Sequence, residues 1–134
     1  MGGMASLGSA ITLESDFDTT LTQVTDALAE QGFGIITEID VQATMKNKLD
    51  VDRPPYRILG ACNPVLANSA INSDPSIGLL LPCNVVVRYE DDQHTVVEFI
   101  DPQIMVQLTE SPGMVEVAAD AGARLTRAQN TLTS

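Results

Sequence analysis

A chain of 134 residues and 14.3 kDa, 44% hydrophobic but only 4% aromatic and without Trp, has the size of one globular domain with an aliphatic core. Its 18 acidic and 7 basic residues give a formal charge of −11. That charge repels phosphate backbones and anionic lipid, and the Arg and Lys residues form no basic stripe, so nucleic acid is disfavoured as a partner. The longest apolar stretch, residues 77–87, is interrupted by Pro82 and Asn84 and falls well short of the ~20 residues a membrane-crossing helix needs.

Residues 10–15 alternate as a short strand, Ile11 and Leu13 against Thr12 and Glu14, and Ser15 or Asp16 offers an N-cap oxygen for a helix. In that helix Phe17, Leu21, Val24 and Leu28 form one apolar stripe, while Thr19, Gln23, Asp26 and Glu30 face water. Gly32 and Gly34 stop it. Residues 35–41 predict a half-buried strand with Glu38, Asp40 and Ile36 on one side and Ile35, Thr37, Ile39 and Val41 on the other. Val41, Met45 and Leu49 then mark two amphipathic turns, and Asp50, Asp52, Pro54 and Pro55 an irregular loop.

Residues 56–62 alternate as a third strand that ends at Asn63-Pro64, where an N-cap Asn and an N1 Pro begin a helix running to about Ile71. Residues 79–89 predict the strongest strand, with Cys83, Val85, Val87 and Tyr89 on one face. A polar tip over 90–94 joins it in a hairpin to residues 95–100. Residues 103–108 are ambiguous, and Ser111-Pro112-Gly113 opens a terminal helix faced by Val115, Ala118, Gly122, Leu125, Ala128 and Leu132. The expected fold is α+β, in the order β-α-β(4)-α, a mostly antiparallel sheet with helices on one face. The insertion over 64–78 is long enough to permit a crossover. Residues 1–9 are expected to be a flexible extension and 10–133 a single domain.

Two matched segments carry the candidate chemistry. Cys62-Asn63 and Cys83-Asn84 each stand at a strand boundary, where groups can be presented to a ligand, and antiparallel neighbouring strands would bring the pairs together. Cys62 also precedes a helix N-terminus, whose dipole favours a thiolate. Against this, free Cys is commonly buried and packs as a small hydrophobe. Two cysteines do not supply the four ligands of a Zn site, and Cys62 and Cys83 are at most soft-metal candidates. The only histidine, His94, belongs to the hairpin tip, away from Cys83, which disfavours a nucleophile–histidine system. Glu38 and Asp40, about 6 to 7 Å apart on one strand face, have a spacing usable for acid and base roles, although solvated carboxylates explain them more simply. No phosphate-binding glycine motif is present and no cofactor is indicated. Met45, Met105 and Met114 read as packing residues.

The blocks 32–44 (GFGIITEIDVQAT), 55–64 (PYRILGACNP) and 77–87 (IGLLLPCNVVV) closely resemble the uncharacterised bacterial and archaeal domain-of-unknown-function family 302, over about residues 11–132. The resemblance implies a TATA-binding-protein-like fold, small cytoplasmic proteins that pair as homodimers, and no assigned activity. The fold name carries no implication of DNA binding. The start of the chain lacks the charged and apolar regions of a signal peptide, which also points to a cytoplasmic setting with reduced thiols. Together the residues favour a non-enzymatic domain, homodimeric or binding a small ligand near Cys62, Asn63, Cys83 and Asn84, with Glu38 and Asp40 as further candidates. The alternative is a thiol-dependent redox or soft-metal-handling protein using Cys62 and Cys83.

Overall fold

A computed structural model describes residues 7–109 and 111–133. The chain opens with β1 (Gly8–Leu13) and α1 (Phe17–Glu30). Asp16 caps α1, its Oδ1 accepting from the Thr19 N–H at 2.8 Å. The helix ends where Gly32, at φ +86°, lets the Gly32 and Phe33 N–H groups bond back to Ala29 and Leu28 carbonyls, each at 3.0 Å. Phe33 is thereby turned into the interior beside Leu28.

After that stop come β2 (Gly34–Asp40), α2 (Val41–Leu49), β3 (Tyr56–Cys62) and α3 (Pro64–Ser73). A 3-10 turn (Pro75–Leu80) leads to β4 (Cys83–Asp91), β5 (His94–Ile100), α4 (Gln103–Leu108) and α5 (Met114–Thr133). The five strands form one antiparallel sheet in the order β1-β5-β4-β3-β2. β2 to β5 therefore run as a meander, while α1 carries the chain from one edge strand to the other. Its 14 residues give a length of about 21 Å, close to the roughly 19 Å across a five-stranded sheet.

One sheet face packs on α1 and α5. Leu59, Ala61, Val85, Val87, Val97 and Phe99 meet Val24, Ala27, Leu28, Leu125 and Ala128 in an aliphatic core. Burying side chains such as Leu28 and Val24 contributes about 1.5–3 kcal/mol each. A second cluster joins Ala70 and Ile77 to Met105, Met114, Val117 and Ala118, under the first half of α5. That helix, about 30 Å long at 20 residues, spans both clusters.

Several expectations change in detail. β1 begins at Gly8, so Gly8 and Ser9 belong to the sheet, while residues 1–6 of the expected extension lie outside the described residues. β2 ends at Asp40, which caps α2 by accepting from the Ala43 N–H at 2.9 Å. A bulge between Ile35 and Thr37 reverses the facing of Ile35, which shares Ala61's face along with Glu38 and Asp40. Residues 75–80 are a 3-10 turn rather than the start of β4, because Asp74 Oδ1 accepts from the Ser76 N–H at 3.0 Å and Pro75 suits a first helical position. The connection from β3 to β4 is not a crossover, since these strands are antiparallel neighbours. On α5 the buried stripe starts from Met114 and runs through Val117, Ala118, Ala121, Leu125 and Ala128, which leaves Val115 52% exposed.

Candidate functional site

Ala61 and Cys83 are register partners across β3 and β4, so Cys62 follows immediately beside Cys83 at the end of the sheet. The two Cys-Asn segments do come together as adjacent antiparallel strands imply. Cys62, Asn63 and Cys83 line one cavity of about 220 Å³. Its other walls come from far apart in the chain: Phe33 after α1, Ile36 at the β2 bulge, Leu66 and Ala70 of α3, Met105 of α4, and Val117 and Ala121 of α5. The cavity lies at the seam between the two core clusters, lined by Phe33 and Ala61 of one and by Ala70, Met105 and Val117 of the other.

The wall is built from aliphatic side chains, one phenyl ring, a thioether and two thiols, with Asn63 as its only amide and no charged side chain. Asn63 is 9% exposed, and its Oδ1 caps α3 by accepting from the Leu66 N–H at 3.2 Å, with Pro64 at the first helical position. Local sequence thus fixes one polar side chain in an otherwise apolar wall.

Burial, followed by the neighbouring Cys62, pushes the Cys83 thiol up to about 11. Cys83 therefore remains a neutral thiol near neutral pH, which is opposite to what an attacking or metal-binding cysteine requires.

Asn84 does not share this cavity. It is exposed, pairs in register with Gly60, and lines a neighbouring hollow with Leu79, Ile100 and Ile104. The two hollows share Leu81, Pro82, Cys83 and Met105 as a common wall. A Cβ on Gly60 would meet Thr37 Oγ1 and lie 2.8 Å from Pro82 Cγ, so the absence of a side chain at Gly60 lets the Leu81-Pro82 segment close over the strand.

Glu38 and Asp40 are also separate from the cavity. Both pair with the Arg57 guanidinium: Glu38 Oε2 accepts from Nη1, and Asp40 Oδ2 lies 3.4 Å from Nη2. Arg57 begins five residues before Cys62 on β3, roughly 16 Å away along the strand. With its other oxygen capping α2, Asp40 is fully occupied in holding the β2–α2 corner. His94 sits at the hairpin end of β4, roughly 26 Å from Cys83, with Nδ1 2.8 Å from Asp91 Oδ1. Glu90, Asp91 and His94 bring potential ligand atoms within 4.8 Å of one another there, at the surface.

Sequence reading did not find Phe33, Ile36, Leu66, Val117 and Ala121 as cavity residues. Met105, expected to be packing, lies in the same wall as the two thiols. Among the described residues no helix is long and apolar enough to cross a membrane.

The five-stranded antiparallel sheet and its helical cover define an α+β domain with a small apolar cavity at the open end of the sheet. Residues 9–132 match the family described as domain of unknown function DUF302, and the chain belongs to that family. An uncharacterised conserved DUF302 protein from Bacillus stearothermophilus, known from a crystal structure, superposes with a TM-score of 0.85 at 26% identity. The superposition covers 96% of this chain and 99% of that one. No functionally curated protein matches the sequence.

Proposed function

We propose that the protein is a non-enzymatic binding domain whose Cys62–Asn63–Cys83 cavity takes a small, predominantly apolar molecule. The observation that carries this reading is a cavity of about 220 Å³ with no charged group in its wall. For scale, an apolar cavity of about 150 Å³ accommodates benzene. The usual range for ligand sites begins near 300 Å³, so the occupant is small. The raised Cys83 thiol weighs against the redox and soft-metal alternative.

Ala67 of α3 also lines the cavity, and methylenecyclohexane, titrated against wild type and Ala67→Phe, tests this reading. Ligand that binds only the folded state raises the unfolding midpoint by linkage. The expected result is a saturable rise in wild type that the cavity-filling variant lacks. No rise in a folded wild type contradicts the reading.

Assembly is a second reading, supported by the charge distribution. In a chain of net charge −11, only Asp74 is charged between Arg57 and Arg88. Within that span Val65 and Leu79 are exposed, Leu79 to 88%. A face without charge is where two strongly acidic copies could meet at least electrostatic cost. Sedimentation at rising concentration decides this: a Leu79-dependent dimer supports it and a persistent monomer removes it. A cytoplasmic setting, where both thiols stay reduced, completes the proposal.

A further inference from the structure

Behind the Cys62–Cys83 cavity lies a second hollow, also of about 220 Å³, and the same four residues, Leu81, Pro82, Cys83 and Met105, line both. Each volume alone is below the range of about 300–1,000 Å³ usual for ligand sites, and the two joined fall within it. Three parts of this partition are held in place: the Leu81 N–H bonds to the Gly78 carbonyl at 3.2 Å, Pro82 sits over Gly60, and Cys83 pairs with Ala61. Met105 is the unbranched, readily repacked side chain of the four, so a change of its rotamer is the local route from one hollow to the other.

The two hollows differ in chemistry. The first has no charged side chain in its wall, whereas the second adds Asn84 and Asp101, the only charged side chain in either wall. Asp101 Oδ1 accepts from the Gln103 N–H at 2.9 Å, and among the described residues the carboxylate makes no ion pair. A cationic group there gains a charge-assisted partner, and the chain's net charge of −11 attracts it from a distance. An anionic group is repelled by both. In the first cavity a cation would lose its hydration without a counter-charge, so only the apolar part of a ligand belongs there.

We propose that the two hollows together bind a small alkylamine in its ammonium form. Its hydrocarbon chain lies in the Cys62–Cys83 cavity, passes Met105, and leaves the ammonium group against the Asp101 carboxylate and the Asn84 amide oxygen. The inference rests on the binding reading above and adds the ligand's head group and the way it enters.

Hexylamine, hexanol and hexanoate share one chain and differ in head group, and with methylenecyclohexane they form the probe set. Each is titrated by NMR at pH 7 into wild type and Asp101→Asn, a variant that keeps the oxygen bonded to the Gln103 N–H and removes the charge. Wild type should bind hexylamine most tightly and hexanoate most weakly. Asp101→Asn should bind hexylamine about fivefold more weakly, the scale of an exposed ion pair, and the hydrocarbon within about twofold of wild type. In wild type, nuclear Overhauser contacts should join the methyl end of hexylamine to Ala70 or Val117 and the carbon beside its nitrogen to Ile104. These contacts decide the matter if the variant does not fold. If methylenecyclohexane binds but hexylamine has no advantage over hexanol, or its two ends do not reach the two hollows, this inference is overturned and the binding reading stands. If no probe binds folded wild type, both are overturned.

Discussion

Asn63 and Gly32 meet so closely that a Cβ on Gly32 would stand 2.9 Å from Asn63 Nδ2. The helix stop after α1 and the helix start of α3 are therefore built against each other, and Phe33 enters the cavity wall from the same turn. Gly32→Ala both strains a backbone at φ +86° and presses on the amide. It should lower unfolding free energy by about 1–2 kcal/mol in urea titration. Gly34→Ala, with nothing within 4 Å of its new Cβ, should cost far less. Equal losses at the two positions would show that the contact with Asn63 has no energetic consequence.

The Cys83 thiol predicts an alkaline dependence. Its folded pKa is raised from 9.0 to about 11 by burial and then by Cys62, so folding favours the neutral thiol. The contribution is fully present below pH 9 and is lost as pH rises from 9 toward 11, by on the order of 2 kcal/mol. Cys83→Ala should flatten that part of the stability profile relative to wild type. Alkylation of Cys83 in a Cys62→Ser background should be slow at pH 8 compared with an unfolded control, and fast alkylation there would revive thiol chemistry.

Asp40 joins two structural duties, and substitutions separate them. Asp40→Asn keeps a cap for α2 but breaks the pair with Arg57; Asp40→Ala loses both. The alanine variant should be less stable than the asparagine variant by about 1 kcal/mol, the usual worth of an N-cap. The pair itself is half-exposed and should contribute less than about 1 kcal/mol, fading with added salt. Neither change should affect hydrocarbon binding, because the cavity lies at the other end of β3.

His94 reports on its own turn. Hydrogen bonding to Asp91, with the charges of Asp91, Glu14 and Glu90, raises its pKa above 6.5. Its stabilising contribution is therefore fully present below pH 6.5 and is lost as pH rises through the folded pKa. A single imidazole resonance, followed by NMR, should titrate above 6.5 in wild type and at lower pH in Asp91→Asn. No difference between them would remove the Asp91 pairing.

Local signals in the sequence were strong where chemistry is local. Asn63-Pro64 announced a helix start, Gly32 a helix stop, and the period of Phe17, Leu21, Val24 and Leu28 the buried face of α1. The side-by-side placement of the Cys-Asn segments followed from strand order alone. The bulge at Ile36 was not legible, because one extra residue leaves the alternation on either side intact while exchanging faces. The 3-10 turn was hidden by the Leu79-Leu80-Leu81 run, although Asp74-Pro75 carried the competing signal. The cavity could not be read from any window, since its walls come from residues 33 to 121 and require the whole fold. For the same reason the partner of Glu38 and Asp40, Arg57 on the next strand, was missed.

The central claim is that the space between Cys62, Cys83 and Met105 is an apolar cavity that accepts a guest. Crystals pressurised with xenon test it most directly, because xenon enters dry apolar cavities and needs no chosen ligand. The account predicts xenon density within this cavity, lost in Ala67→Phe crystals of the same form. A cavity that excludes xenon and instead holds a chain of hydrogen-bonded waters would contradict it.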